Sequence, residues 1–178
     1  MGEELKIIFA GPVGAGKTTA IGAVSDRPPV QTEAAPTDEV RQMKASTTVA
    51  MDYGEVQLDE DHHLNLYGLP GQERFSYMWD ILARGALGFV VMLNSDADPP
   101  ATQLGLLETG LGQHLREAPV VVTLTGSRRD EHAVVQETRA ALSTMEVFWP
   151  VMSISPWKRA EVATVLQVLL AELEFANP

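Results

Sequence analysis

One run of residues constrains this chain more than anything else in it. Gly11-Pro12-Val13-Gly14-Ala15-Gly16-Lys17-Thr18 satisfies the pattern G-x-x-x-x-G-K-[ST] at every fixed position. Leu5 to Ala10, just before it, reads as a buried strand, and Lys17 to Val24 has helical apolar spacing. Glycines in such a loop let the backbone curl until successive N–H groups point inward, and the helix that follows adds its positive end. The arrangement is a cradle for phosphate groups, with Gly14, Ala15, Gly16, Lys17, Thr18 and Thr19 as its binding residues. Lys17 would reach the terminal phosphates and the Thr18 hydroxyl would ligate Mg²⁺. A glycine-rich turn that merely contains Lys and Thr is the plainer alternative, and the position between strand and helix argues against it.

The rest of the chain alternates in the same way. Strands are predicted at Thr48 to Leu58, Leu64 to Tyr67, Gly88 to Leu93, Val120 to Leu124 and around Val147 to Ile154. Helices are predicted near Phe75 to Ala83, Gln103 to Leu115, Ala133 to Met145 and Ala160 to Phe175. The last carries Val162, Val165, Leu166, Leu169, Leu170 and Leu173 on one stripe, which is a core face. Residues 25 to 47 hold Pro28, Pro29 and Pro36 among polar residues, so no regular element is expected there. Alternation of this kind means a mostly parallel sheet with helices on both faces, here six strands, one of them antiparallel through a hairpin, and about five helices. A single domain over residues 1–178 is the simplest account.

The charge balance limits what the cradle can serve. With 13 Lys and Arg against 24 Asp and Glu, the formal charge is −11, which argues against a surface built for nucleic acid or anionic lipid. A bound anion has to be held by local geometry. Because there is no cysteine, disulfides, thiolate metal sites and prenyl or palmitoyl anchors are excluded. Neither an export signal nor a run of the roughly 18 apolar residues needed to span a bilayer is found, so a soluble, cytoplasmic chain without a direct membrane anchor is expected.

Three segments in order carry a resemblance: Gly11 to Thr18, then Ser46-Thr47-Thr48-Val49-Ala50-Met51-Asp52-Tyr53-Gly54, then Tyr67-Gly68-Leu69-Pro70-Gly71-Gln72-Glu73-Arg74-Phe75. Together they resemble the Ras-like small GTPases, P-loop NTPases with a three-layer sandwich fold, and most closely the bacterial MglA-type branch found alongside roadblock proteins. The resemblance implies GTP or GDP with Mg²⁺, and switch regions around residues 25–50 and 68–80. It assigns Thr48, with Thr47 as the neighbouring candidate, to Mg²⁺ and the γ-phosphate, although two β-branched residues opening a strand explain the local sequence equally well. Gly71 matches the glycine whose N–H contacts the γ-phosphate, and Gln72 the glutamine that orients the attacking water. Gln72 and Lys17 are therefore the candidate catalytic residues. As a turn, Pro70-Gly71 with a solvated Gln72 would look the same locally.

Departures from the family pattern also carry information. Gly68 stands where most relatives have an acidic residue that holds Mg²⁺ through water, and Val13 stands at a loop position that is glycine in Ras, so slow hydrolysis is expected. Guanine is selected in the family by an Asn-Lys-x-Asp run, and the corresponding stretch here is Leu124-Thr125-Gly126-Ser127-Arg128-Arg129-Asp130. One register keeps a carboxylate, through Ser127 and Asp130. The other puts Thr125 and Arg128 at the Asn and Asp positions, and a guanidinium accepts no hydrogen bond. Later, Ser155-Pro156-Trp157-Lys158 matches the family's Ser-Ala-Lys loop weakly.

Two other functions fit less well: a degenerate scaffold with weak or no hydrolysis or a non-guanine preference, and a P-loop kinase for a small metabolite. The resemblance implies a roadblock-fold partner, and Phe75, Tyr77, Met78 and Trp79 form either one buried face or a partner surface. His62 and His63 read as solvated turn residues, and the seven methionines as gap fillers.

Overall fold

The computed structural model describes residues 5–28, 30–32 and 51–176. In chain order the elements are β1 (Leu5–Ala10), α1 (Lys17–Val24), β2 (Val30–Thr32), β3 (Met51–Gln57), β4 (His63–Gly68), a 3₁₀ segment (Glu73–Met78) and α2 (Trp79–Ala83). Then come β5 (Gly88–Asn94), α3 (Pro100–Glu117), β6 (Val120–Thr125), α4 (Glu131–Thr144), β7 (Val151–Ser153) and α5 (Arg159–Ala176). The sheet runs β2-β3-β4-β1-β5-β6-β7. Every neighbouring pair from β4 to β7 is parallel, and β3 is antiparallel to both strands beside it.

Period-2 alternation sorts each central strand onto two apolar faces. Ile8 and Ala10 join Val91, Leu93, Leu104, Leu107 and Leu111 in one buried cluster, under α2, α3 and α4. Ile7 and Phe9 join Val90, Met92, Ile21, Val165 and Leu169 in the other, under α1 and α5. Burial on both faces is why β1, β5 and β6 read as nearly continuous apolar runs rather than as alternating ones. In α5 the predicted stripe divides: Val162, Val165, Leu166 and Leu169 are buried, and Leu170 and Leu173 are half-exposed at its edge.

Differences from the sequence-based reading have local causes. β2 adds a short seventh strand within the proline-containing stretch where no regular element is expected, because the β-branched Val30 and Thr32 can pair with Tyr53 and Met51 at the sheet edge. α3 begins at Pro100, earlier than predicted, since proline suits the first helical turn where no N–H partner is needed. β7 starts only at Val151, because Val147 is taken by a turn closing α4, its N–H donating to Leu142 O at 3.1 Å. Among the described residues no helix is long and apolar enough to cross a membrane.

Candidate functional site

The phosphate loop leaves β1 at the carboxyl edge of the sheet, beside the ends of β4 and β5, where open α/β sheets place ligand clefts. Close approach rather than freedom dictates Gly11: a Cβ there would lie 2.1 Å from the Met92 carbonyl oxygen in β5. Gly14 and Gly16 have φ of 80° and 94°, which L side chains rarely adopt. Gly11→Ala is therefore expected to destabilise the fold by about 3 kcal/mol or more, an overpacking cost that neither backbone can relax, readable as a lowered urea midpoint.

Four of the loop's carbonyls, those of Gly11, Pro12, Gly14 and Ala15, accept side-chain hydrogen bonds. Asn94 Nδ2 donates to Gly14 O at 3.2 Å, Thr125 Oγ1 to Ala15 O at 2.9 Å, and Lys17 Nζ to Gly11 O and Pro12 O at 2.7 and 2.8 Å. None of these bonds uses the N–H of Gly14, Gly16, Lys17 or Thr18. At the start of α1, Gly16 gives no side-chain cap and the first turn holds no acidic residue, so nothing within the helix compensates its positive end.

Lys17 is only 7% exposed. Burial lowers its pKa from 10.5 to about 8, with the Asp52 carboxylate pulling the other way. Such an ammonium lacks water and has only two carbonyls in its place, so it is primed to take an anion.

Facing the loop across a cleft of about 460 Å³ are Asp52, Gly68, Leu69, Pro70 and Gly71. Gly71 sits so close that a Cβ would be 2.6 Å from Val13 N and 2.9 Å from Lys17 Nζ. The turn is held by Trp79, 4% exposed, whose Nε1 donates to Pro70 O at 2.9 Å. Gln72 follows, exposed, at the head of the 3₁₀ segment. The structure thus brings Lys17, Thr18 and Gly71 together, with Gln72 next in chain. Thr47 and Thr48 lie outside the described residues.

Asp52 was not among the predicted site residues. Its Oδ2 accepts from Thr18 Oγ1 at 2.6 Å, and in the β3–β4 register it stands opposite Gly68. A Cβ at residue 68 would meet Asp52 Cβ at 3.0 Å and Oδ2 at 3.1 Å. The Asp52 carboxylate lies in space that a side chain at 68 would occupy. Hairpin register was the signal that could have found it, since the turn length sets which β3 residue faces Gly68.

Beyond β6, Asp96 organises the next loop by accepting from Ser127 N and Arg128 N at 3.0 and 2.8 Å, bonds that hold its pKa below the usual carboxylate range. Ser127 lines a cavity of about 440 Å³ together with Arg129, Glu131, Ser153, Ser155 and Glu161. Asp130 instead caps α4, accepting from Ala133 N at 2.8 Å. Thr125 ties β6 to the phosphate loop through the bond to Ala15. Of the two carboxylates lining the cavity, Glu161 is occupied by Ser155 N at 2.6 Å and Lys158 Nζ at 2.9 Å.

Phe75, Tyr77, Met78 and Trp79 divide between the two readings given above. Met78 and Trp79 are buried, whereas Tyr77 is 55% exposed beside Leu106. His62 lies in the β3–β4 turn, bonded to Asp59 at 2.8 Å, and no cluster of three or more His, Asp or Glu suited to a metal exists among the described residues.

No protein-family model and no curated protein matches the sequence. Solved structures do match in fold. The Arl6 BBS3 small GTPase from Trypanosoma brucei with bound nucleotide analogue GppNp superposes with a TM-score of 0.68 at 13% identity, over 96% of this chain and 98% of that one. A bacterial selenocysteine-specific elongation factor, EF-Sec, matches with a TM-score of 0.65 at 19% identity over 99% of this chain, which spans 30% of the elongation factor's length. The chain therefore has the α/β fold of these proteins.

Proposed function

We propose that this protein is a guanine-nucleotide-binding switch of the Ras-like kind, and that it hydrolyses GTP slowly. One observation carries the reading: the Gly71 turn lies directly over the phosphate loop, in contact with Val13 and Lys17. Any phosphate that enters the cradle must engage or displace that turn, which couples ligand to conformation. Gly14, Gly16, Thr18 and Thr19 offer backbone N–H groups, Ala15 offers its own once its 3.3 Å bond to Pro12 O opens, Lys17 offers the ammonium, and Gly71 offers an N–H for the terminal phosphate. Gln72, next in chain, is the residue to orient water.

The oxygen donors present fit Mg²⁺, a hard cation that takes one or two carboxylates or hydroxyls from protein and keeps its waters. Thr18 and Asp52 would hold it, with Thr48 as a further candidate; when bound, the ion neutralises phosphate charge. Val13, 65% exposed at the cleft, leaves less room for an attacking water or an arginine supplied by a partner, which supports slow turnover.

Guanine choice rests on weaker ground. The Asp130 carboxylate is used as a helix cap, and Arg128 accepts nothing, so Ser127 and the cavity's Glu131 are the groups left to read a base. Calorimetric titration with GTP, GDP and ATP, with and without Mg²⁺, tests the reading: GTP and GDP are expected to bind more tightly than ATP. ATP preference would overturn the guanine assignment, and no binding at all would leave only a scaffold. Gln72→Ala is expected to slow single-turnover hydrolysis by about tenfold or more, and equal rates would remove Gln72 from the chemistry. By the same resemblance, the exposed Tyr77 side is where a roadblock-fold partner would sense nucleotide state, in a cytoplasm and without nucleic acid or a lipid anchor.

A further inference from the structure

The two most exposed large apolar side chains in the described residues, Phe148 at 95% and Phe175 at 83%, belong to the pole of the sheet opposite the phosphate loop. There the end of α3, the start of β6 and the segment leading into β7 enclose a groove of about 490 Å³. Its floor is apolar, with Leu115, Pro119, Val147, Trp149 and Pro150, and Phe148 stands on its rim. Glu172 of α5 also lines it, and Phe175 lies three residues further along that helix, on the same side.

Phe148 is not exposed by looseness. Three backbone bonds, Met145 N to Ala141 O, Glu146 N to Ser143 O and Val147 N to Leu142 O, each 3.1 Å, close the end of α4. Glu146 takes a left-handed φ of 58° to make that turn, and Val122 N to Pro150 O at 2.8 Å anchors the other side. The ring is thus presented from a fixed loop, in the way aromatic anchors are presented at interfaces.

Charge tells what would cover it. Glu117, Glu146 and Glu172 ring the groove. The one cation there among the described residues, Arg116, is already taken by Glu108 at 2.7 Å, and Glu117 has the neutral Gln113 amide as its partner at 2.9 Å. An acidic rim repels anionic lipid, and two copies of this face would set the same carboxylates against each other on a chain of charge −11.

We propose that this groove docks a basic segment of a partner protein, with one or two leucine or aromatic side chains entering between Phe148 and Trp149 and lysines or arginines meeting the glutamates. Lying at the far edge of the sheet from the phosphate loop, it holds that segment in every nucleotide state, as a tether rather than a readout. It stands independently of the nucleotide reading.

The test uses the full chain and a short fluorescein-labelled helical peptide with Leu and Phe anchors among lysines, alongside a counterpart with glutamates in place of the lysines. The cationic peptide is expected to bind, with backbone resonance shifts clustered at residues 117–120, 146–150 and 172–175. Affinity should be unchanged by GDP or GTP. Phe148→Ser, at a site so exposed that folding is unaffected, should weaken binding about tenfold, and Phe148→Ser with Phe175→Ser further still. Reversing the rim with Glu117→Lys, Glu146→Lys and Glu172→Lys should transfer the preference to the acidic peptide. The proposal fails if both peptides bind the wild type equally, if the shifts fall elsewhere, or if Phe148→Ser changes nothing. It fails equally if Phe148→Ser instead abolishes a concentration-dependent dimer, or abolishes sedimentation with phosphatidylglycerol vesicles.

Discussion

Lys17→Ala is expected to cut affinity for a nucleoside triphosphate by about a hundredfold or more, and to relieve the free protein of a desolvation penalty that the wild type carries at neutral pH. The two halves of that statement have one cause. In the free protein the Lys17 ammonium is buried with the carbonyls of Gly11 and Pro12 at 2.7 and 2.8 Å, which replace water only in part. Burial therefore lowers its pKa from 10.5 to about 8, a penalty the fold carries until an anion arrives. The sign for pH follows. Between about pH 8 and 10.5 the unfolded chain keeps the proton and the folded chain has lost it, so the unfolded state binds more protons and stability rises with pH. Below pH 8 both states are charged and the penalty is fully present. Across the window the wild type should gain up to about 1.4 kcal/mol per pH unit relative to Lys17→Ala, which lacks this slope.

Ligand binding should run the other way. Phosphate restores the charge on Lys17, so binding takes up a proton above pH 8, and affinity should fall by up to about tenfold per pH unit there. Denaturant midpoints and calorimetry in buffers of different ionisation enthalpy read both effects. A variant that binds as tightly as the wild type, or a wild-type slope that survives the substitution, would remove Lys17 from the cradle's chemistry.

What could be read from the sequence was whatever is encoded contiguously. The phosphate loop is one short run, and its strand and helix neighbours announce themselves by period, which is why β1, α1, β5, β6 and α5 match their predicted ranges to within a few residues. Residues that work across the chain were hidden. Asp52 acts through a strand pairing with Gly68, Asn94 and Thr125 reach the loop from β5 and β6, and Gln103 is buried to bond both Asn94 N and Asn94 O, contacts separated by many residues in sequence. Asp130 shows how one carboxylate can answer to two readings. Its carboxylate suits a base-binding motif and also an N-cap before Glu131-His132-Ala133, and only the α4 boundary distinguishes them.

Moving the carboxylate between strands gives the other large effect. Asp52→Ala is expected to raise the Mg²⁺ concentration required for tight GTP binding by about tenfold or more, because Thr18 loses the oxygen that orients its hydroxyl and the cleft loses the one carboxylate that lines it among the described residues. Gly68→Asp alone should not help. Its Cβ would lie 3.0 Å from Asp52 Cβ and 3.2 Å from Ile21 Cδ1, and a second carboxylate would stand against the first, so lower stability by about 1–3 kcal/mol is expected. Asp52→Gly combined with Gly68→Asp removes the collision with Asp52 and returns one carboxylate to the same cleft from the neighbouring strand. The double variant should bring the required Mg²⁺ concentration most of the way back to that of the wild type, a coupling far from additive, as expected for residues in direct contact. Fluorescent-nucleotide titrations across a Mg²⁺ series decide the matter. If the double variant needs as much Mg²⁺ as Asp52→Ala, then Asp52 serves only to orient Thr18 and the strand that carries the charge matters. If it recovers, position in the cleft rather than place in the motif makes the metal site, and Gly68 is an exchange rather than a loss.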